Sequence, residues 1–160
     1  MTKKTPSQSS SLDDWLFYLE SVHPANIAMG LERVANVANT IGLLNTPSKI
    51  ILIAGTNGKG TTARCLESLL LAQGFNVGTY ASPHLIRYNE RVRVNGEELA
   101  DQFHIDAFHQ LEQGRKDTPL TYFEYGTLGA LAIFKRCSVD YVLLDSNSLC
   151  KRDHHHRFRS

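Results

Sequence analysis

The sequence predicts an α/β fold in which helices cover a parallel sheet. Two apolar runs, at 49–54 and 139–144, have the length and composition of buried strands, and residues 76–80 are predicted to form a further strand between them. Segments with helical spacing of apolar residues separate them, and alternating strands and helices imply parallel strands joined by right-handed crossovers. Ligands of such sheets bind at the carboxyl ends of the strands, so functional residues are expected just after these runs.

Five helices are expected around these strands. Ser11 and Thr121 can cap the first and the last, because their side-chain oxygens can accept hydrogen bonds from the first helical turn. Residues 91–96 have the alternation of half a β-hairpin. The helices are expected from Ser11 to His23-Pro24, over 31–41, 63–73 and 100–113, and from Thr121 to Lys135.

Composition and charge describe a soluble globular protein of one domain. The chain has 160 residues, 42% hydrophobic and 21% charged, with a formal net charge of +1. Neither nucleic-acid nor membrane affinity is expected from this balance, and no apolar run approaches the ~20 residues of a membrane span. The polar start lacks the apolar core of a signal peptide, and three scattered cysteines fit reduced thiols, so a cytoplasmic protein is expected.

The most informative segment is a glycine-rich turn between the first strand and the next helix. Residues 54–62 read Ala-Gly-Thr-Asn-Gly-Lys-Gly-Thr-Thr. Glycines let backbone N–H groups face an anion, and a helix N-terminus adds unpaired donors. Lys59 supplies a mobile charge for terminal phosphates, and a hydroxyl of Thr61 or Thr62 can reach Mg²⁺. The segment therefore predicts a phosphate-binding loop for a nucleoside triphosphate and a metal ion.

This loop departs from the general G-x-x-x-x-G-K-[ST] pattern at two points. Gly55 is closer to the lysine than the pattern requires, and Gly60 separates Lys59 from Thr61. Two alternatives to a phosphate loop of the expected kind stay open. One is an ordinary glycine-rich turn with a solvated lysine, and the other is a small-molecule kinase or GTPase with an unusual loop.

Four motifs, in order along the chain, carry a family resemblance. They are residues 54–62, Ala-Ser-Pro-His-Leu at 81–85, Glu-Arg-Val-Arg at 90–93 and Thr-Tyr-Phe-Glu-Tyr-Gly-Thr at 121–127. Together they resemble the bifunctional dihydrofolate synthase/folylpolyglutamate synthases of the Mur ligase superfamily, whose loop carries the same extra glycine. The resemblance runs from about Ser11 to Leu144. It implies a parallel-sheet P-loop mononucleotide-binding domain, the Mur ligase-like ATPase domain, in incomplete form.

The resemblance implies an ATP-dependent amide ligase of folate biosynthesis and one-carbon metabolism. ATP would phosphorylate a carboxylate of dihydropteroate or a folylpolyglutamate, and the amine of L-glutamate would displace the phosphate. Phosphorylation makes a poor acyl donor reactive, so the protein's work is positioning and charge neutralisation. The cofactor implied is Mg²⁺, and a complete enzyme is expected to be monomeric.

Three sets of residues take their roles from the resemblance. The ATP phosphates are assigned to Thr56, Asn57, Gly58, Lys59, Gly60 and Thr61, with Lys59 as the catalytic residue. Dihydropteroate is assigned to Ala28, Met29, Gly30, Leu31, Thr121, Tyr122, Phe123 and Glu124. The metal is assigned to Thr61, Ser82 and Asp145, where Asp145 replaces the glutamate of the family and Ala28 replaces an acidic residue.

Each of these side chains also has a structural interpretation. Phe123 can stack on a flat heteroaromatic ring or belong to the core, Glu124 can be a solvated helix-start charge, and Ser82 can be a turn residue. His84 is interpreted as structural. Arg87, Arg91 and Arg93 are interpreted as a solvated edge without a role in the site.

After Leu144 the sequence leaves the family pattern. Where the family continues with a glutamate and a glycine-rich segment, this chain continues with polar residues and the histidines 154–156. We expect a flexible arm at 1–10, the N-terminal part of an ATP-binding ligase domain at 11–144 and a divergent, disordered tail at 145–160. The chain is interpreted as a truncated product, either an active ligase or a non-catalytic remnant that binds nucleotide at most. Its apolar run at 139–144 is expected to form an exposed sheet edge that lowers solubility or needs a partner.

Overall fold

The computed structural model describes residues 4–22 and 31–145. Residues 146–160 of the predicted tail, the helix stop at His23-Pro24 and three predicted substrate contacts (Ala28, Met29 and Gly30) lie outside the described residues. Asp145, predicted to begin the disordered tail, is instead the last residue of a strand. None of the helices in the described part is long and apolar enough to cross a membrane.

A five-stranded sheet of mixed direction forms the centre of the fold. Its order is β1-β5-β2-β3-β4, in which β1, β5 and β2 are parallel and β3 and β4 add an antiparallel hairpin. The predicted α/β class is confirmed, and the hairpin expected at 91–96 is present. The strands are β1 Lys49–Ile53, β2 Val77–Tyr80, β3 Val92–Val94, β4 Glu97–Glu98 and β5 Tyr141–Asp145.

In the described ranges, five α-helices pack around the sheet, as the sequence predicts. Both predicted caps form capping boxes: Ser11 with Asp14 opens α1, and Thr121 with Glu124 opens α5. A 3₁₀ turn, Tyr88–Arg91, leads into β3. The helices are α1 Leu12–Ser21, α2 Leu31–Thr40, α3 Lys59–Ala72, α4 Asp101–Arg115 and α5 Tyr122–Arg136.

The sheet separates two apolar cores of unequal size. On one face α1, α4 and α5 pack over Val142 and Leu144 of β5, with the fully buried Trp15 at their centre. On the other face α3 packs over Leu143 and Val77. Successive residues of β5 therefore serve both cores, as expected for a strand covered by helices on both sides.

Close packing of α5 on the sheet depends on glycine at two positions. A Cβ on Gly78 of β2 would lie 2.5 Å from the ring of Phe134, and a Cβ on Gly126 of α5 would lie 2.5 Å from the Tyr80 hydroxyl. Any larger residue would push helix and strand apart, since buried ring atoms cannot yield by so much in a dense core.

The exposed edge of the sheet is not where the sequence places it. β5, expected to be an unpaired edge, lies at the centre between β1 and β2. The edge is β1, whose apolar run was interpreted as buried on both faces, yet Ile50 is 52% exposed and Leu52 is 54% exposed. An apolar run reveals that a segment is a strand, but its rank in the sheet depends on pairings made much later in the chain.

Candidate functional site

The three predicted ligand-binding segments meet at one end of the sheet. The glycine loop follows β1, Ser82 follows β2 by two residues, and Asp145 ends β5 between them. Ile53 is opposite Asp145 and Tyr80 is opposite Leu144 in the parallel register. The carboxylate therefore lies at the level where the loop begins and where the chain leaves β2, which is the place where parallel sheets bind ligands.

The glycine loop has the backbone of an anion-binding turn. Gly58 adopts a left-handed conformation (φ 73°) and immediately precedes α3, which begins at Lys59 rather than at the predicted residue 63. Gly60 and Thr61 are thus in the first helical turn, where N–H groups lack partners within the helix. A Cβ on Gly58 or Gly60 would meet nothing within 4 Å.

Lys59 folds back over this loop. Its Nζ donates a 2.6 Å hydrogen bond to the Gly55 carbonyl, and only 9% of the residue is exposed. The Thr62 hydroxyl donates to the Gly58 carbonyl at 3.0 Å, while Thr56, Asn57 and Thr61 are exposed. The ammonium group of Lys59 therefore lies against the loop. A phosphate bound in the loop would compete only with the Gly55 carbonyl for hydrogen bonds from this group.

The predicted metal ligands are hard oxygen donors. Ser82 is 7% exposed and Asp145 is 8% exposed, whereas Thr61 is exposed on the first turn of α3. In the described ranges, no cluster of three His, Cys, Asp or Glu side chains could hold a metal ion. Two hydroxyls and one carboxylate fit a cation such as Mg²⁺ that takes its remaining oxygens from phosphate and water.

A bidentate ion pair links the two segments predicted to bind the pteroate. Arg33 of α2 donates to both carboxylate oxygens of Glu124, at 2.7 Å and 2.5 Å, and also to the Pro119 carbonyl at 2.7 Å. Arg33 follows the predicted 28–31 segment, and Glu124 belongs to the predicted 121–124 segment. Glu124 is not a solvated charge, since its carboxylate also accepts from the Thr121 N–H at 2.7 Å.

Other predicted substrate contacts are only partly described. Thr121 caps α5, Tyr122 and Phe123 form an edge-to-face ring pair with centroids 6.1 Å apart, and Phe123 is half-buried. The ring of Phe123 is therefore partly accessible. Leu31 begins α2, and its side chain lies outside the described residues.

Two of the three arginines after β2 do not belong to a solvated edge, which corrects the sequence interpretation for Arg91 and Arg93, while Arg87 is exposed as expected. Arg91 is 6% exposed and lies 5.6 Å and 5.9 Å from the ring centroids of Tyr88 and Tyr122. Its Nε donates to Nδ1 of His84 at 2.7 Å. Burial and the charge of Arg91 lower the pKa of His84, so the imidazole is held neutral near the predicted metal ligand Ser82.

Arg93 is mostly buried, with 11% of its side chain exposed, in an ion pair that sequence reasoning missed. Its Nη2 donates to Glu67 of α3 at 2.9 Å, and Glu67 accepts a second hydrogen bond from the Thr79 hydroxyl at 2.8 Å. These contacts fix α3 to β2 and β3. A usable signal was present, because Glu67 lies one helical turn after the buried Ala63, and a carboxylate on an inward face requires a partner.

Known relatives match most of the chain, although no protein-family model matches it. A dihydrofolate synthase/folylpolyglutamate synthase of Escherichia coli (strain K12) is 52% identical over 143 residues, or 89% of this chain and 34% of that protein. The Haemophilus influenzae protein of the same name is 46% identical over 86% of this chain and 31% of its own length.

Solved structures agree with this result. E. coli FolC in complex with DHPP and ADP superposes with a TM-score of 0.83 at 53% identity, over 88% of this chain and 34% of that one. The bifunctional enzyme of Yersinia pestis with AMPPNP and Mn gives 0.85 at 53% identity, over 89% of this chain and 35% of that one.

This chain is homologous to the N-terminal third of dihydrofolate synthase/folylpolyglutamate synthases. The resemblance predicted from four motifs is thereby confirmed, and so is the Mur ligase-like α/β fold. The chain spans about a third of the length of the curated relatives it matches. The activity of the whole relatives is therefore not transferred to this chain by similarity alone.

Proposed function

We propose that this chain carries the phosphate-binding, metal-binding and part of the pteroate-binding residues of an ATP-dependent folate ligase. The reaction joins L-glutamate to dihydropteroate, to a folylpolyglutamate, or to both. The observation that carries the proposal is the glycine loop with Lys59, at a sheet end that also gathers Ser82 and Asp145. Relatives bound to ADP, AMPPNP, DHPP and L-glutamate support it.

The reaction proceeds in two steps, phosphorylation of the carboxylate and formation of the amide. A carboxylate oxygen of the pteroate attacks the γ-phosphorus of ATP, forming an acyl phosphate and releasing ADP. The glutamate amine then attacks the acyl carbon, loses a proton and expels inorganic phosphate, leaving an amide. Lys59 is the catalytic residue: its Nζ exchanges the Gly55 carbonyl for phosphate oxygens, with N–H groups of the loop beside it.

Thr56, Asn57, Gly58, Gly60 and Thr61 complete the phosphate site. Thr61, Ser82 and Asp145 hold the divalent cation, which we assign as Mg²⁺, although a relative was solved with Mn. The cation supplies charge compensation for the ATP phosphates. Asp145 is one methylene shorter than the glutamate of the family pattern, so its reach depends on the close approach of β5 to the loop.

The segment 121–124, together with 28–31, receives the pteroate. Phe123 offers a ring for stacking, and Thr121 and Tyr122 offer polar atoms at the start of α5. Glu124 positions the start of α5 instead of contacting the pteroate, because its carboxylate is held by Arg33 and the Thr121 N–H. In this proposal residues 11–145 are the N-terminal part of the ligase domain, one residue longer than the sequence predicts because Asp145 belongs to β5. They lie between an arm at 1–10 and a divergent tail from residue 146, and the protein is cytoplasmic.

A second candidate is a non-catalytic remnant that binds nucleotide without turnover. It is favoured by one fact, that this chain spans about a third of the length of the relatives it matches. Complete enzymes of the family are expected to be monomers that assemble the remaining ATP and glutamate contacts from the other two thirds. In both candidates the loop binds phosphate.

Two measurements on the full chain separate the candidates. Titration calorimetry with ADP and Mg²⁺ tests the loop, and ADP release with dihydropteroate, glutamate and ATP tests turnover. Release that requires both co-substrates establishes a ligase, while binding without release establishes the remnant. Lys59→Ala should weaken binding at least about tenfold, whereas Lys135→Ala, remote from the loop, should not. A folded protein that binds no nucleotide overturns both candidates.

A further inference from the structure

Arg91 carries a buried charge that no carboxylate balances in the described part of the chain. The residue is 6% exposed, yet in the two ranges that the structure describes its guanidinium takes part in no ion pair, whereas Arg33 and Arg93 each pair with a glutamate. Residues 1–3 and 23–30 contain neither Asp nor Glu, so these segments cannot supply an acidic side chain. A buried cation costs free energy unless an anion or polar groups face it, so the surroundings of Arg91 need an explanation.

The groups that face Arg91 are uncharged. Its Nε donates to Nδ1 of His84 at 2.7 Å, and the guanidinium lies 5.6 Å and 5.9 Å from the ring centroids of Tyr88 and Tyr122. The Tyr80 hydroxyl is another polar neighbour. Aromatic rings attract a cation but leave its charge in place. Because Nε is engaged by His84, the end formed by Nη1 and Nη2 is the part of the guanidinium that can donate to both oxygens of one carboxylate.

The acidic side chains closest to this cluster are engaged elsewhere or exposed. The carboxylate of Glu90 accepts hydrogen bonds from the backbone N–H groups of residues 85–87, each at 2.7 Å. Glu20, whose charge acts on His84 and Tyr122, is exposed on α1. The positive charge of the cluster is therefore suited to an anion that a ligand brings.

Arg91 lies between the predicted metal ligand Ser82 and the predicted pteroate segment. Its carbonyl accepts from the N–H of Ala81, the neighbour of Ser82, at 2.9 Å, and its guanidinium faces Tyr122 at the start of α5. The reacting carboxylate of the pteroate has to lie between these two places, because one of its oxygens attacks a phosphate whose charge the metal ion balances. We propose that Arg91 is a substrate-binding residue that holds this carboxylate, an inference that rests on the proposed function.

This contact gives Arg91 two effects on the reaction. A guanidinium that donates to both carboxylate oxygens orients the group, so that one oxygen is directed to the phosphate. Its charge also offsets the repulsion between the carboxylate and ATP. The side chains of His84 and Tyr122 that flank Arg91 are half-buried, so the cluster reaches the surface where a ligand can approach.

Titration calorimetry of the full chain with dihydropteroate and with its methyl ester tests the contact, because the ester keeps the rings and lacks the negative charge. The parent should prefer the acid at least about tenfold, as expected for a charge-assisted bidentate contact. Arg91→Gln should bind acid and ester equally. Arg91→Lys keeps the charge without the planar fork and should prefer the acid only about threefold. Arg87→Gln is the matched control, since the side chain of Arg87 is 69% exposed, and it should keep the preference of the parent.

Thermal melts establish that each variant is folded, and titration with ADP and Mg²⁺ reports separately on the glycine loop. Equal affinity of the parent for acid and ester overturns the role of Arg91 and leaves the proposed pteroate site standing. A parent that binds neither compound overturns the pteroate site and this inference together, whereas ADP binding would still support the loop.

A folded Arg91→Gln protein that keeps the preference for the acid also overturns the inference, and a loss of ADP affinity in that case would assign the charge to a phosphate. Where Arg91→Gln does not fold, Arg91→Lys decides, because an undiminished preference for the acid in that variant would assign the carboxylate to another group.

Discussion

The guanidinium of Arg93 and the carboxylate of Glu67 form an ion pair of 2.9 Å across the contact between β3 and α3, with Glu67 only 3% exposed. Because α3 begins inside the glycine loop, this pair fixes the helix whose first turn faces the predicted phosphate site. Breaking one side of a buried pair leaves the other charge without compensation, which costs more than the pair contributes.

Arg93→Met should lower the free energy of unfolding by about 3 kcal/mol, because Glu67 keeps only the Thr79 hydroxyl. Arg93→Met/Glu67→Gln should recover part of that loss, since no buried charge then remains. Urea denaturation measures both. Arg87→Met is the matched control, because the Arg87–Glu98 pair is exposed and should change stability by less than about 0.5 kcal/mol. Equal losses of unfolding free energy in the single and the double variant would show that the uncompensated charge of Glu67 is not what destabilises Arg93→Met.

Gly60→Ala should separate stability from binding. The added Cβ meets nothing within 4 Å and replaces glycine in a helix, so stability should rise by about 0.5 kcal/mol. ADP affinity should fall at least about tenfold, because a Cβ beside Lys59 obstructs the approach of phosphate to the backbone. Melting temperature and calorimetric titration give the two readouts. Unchanged affinity in Gly60→Ala would mean that phosphate does not approach this turn.

The control for that change is Gly58→Ala. Gly58 has equal space for a Cβ but a left-handed backbone (φ 73°), so alanine there should destabilise the protein by about 1 kcal/mol. The two substitutions add the same methyl group two residues apart, and the opposite signs of their stability effects report backbone conformation alone.

Gly126→Ala should destabilise the protein by about 1–3 kcal/mol, because its Cβ would lie 2.5 Å from the Tyr80 hydroxyl in a region where Tyr80 is 1% exposed. Tyr80→Phe removes that oxygen. The double variant should therefore be more stable than Gly126→Ala, and chemical denaturation of the four proteins in the cycle measures the coupling. Additive losses would place the clash elsewhere, for example at the Tyr88 hydroxyl 3.3 Å away.

His104 should make stability fall on acidification. Burial lowers its pKa from 6.5 to about 4, and the residue is 1% exposed. Between these two values the unfolded chain binds a proton that the folded chain excludes, so stability is full above pH 6.5 and is lost as pH falls toward 4. The whole shift corresponds to roughly 3 kcal/mol.

Replacing His104 with leucine should flatten that part of the pH dependence, even if the variant is less stable at pH 7. His109→Leu, on a half-buried residue of the same helix, should keep the slope. Urea midpoints at several pH values between 4 and 7.5 provide the test. An unaltered slope in His104→Leu would assign the effect to other groups.

Local features of the fold could be predicted because each rests on a few neighbouring residues. Ser11 and Thr121 cap the helices they were expected to cap, and the glycine loop stands between a strand and a helix. The site could be predicted at the level of strand ends, since that depends only on which segments are parallel strands.

Long-range pairings could not be predicted in the same way. The alternation Arg-Val-Arg-Val at 91–94 shows that arginines and valines face opposite sides, but not that the arginine side meets Glu67 and the tyrosines. The Arg33–Glu124 pair joins residues far apart in the chain, and it emerges only when α2 and α5 are placed together. In each case the partner is supplied by tertiary packing.

The central position of β5 also sets an order of assembly. β1 and β2 share no hydrogen bonds, and each finds its neighbour only when Tyr141–Asp145 arrives between them. Among the described strands, only β5 holds the loop after β1 beside the turn after β2, and its insertion also brings Asp145 between them. During synthesis this sheet cannot close until Tyr141–Asp145 has been made. Such distant pairings slow folding, and they leave β1 and β2 open to wrong partners in the meantime.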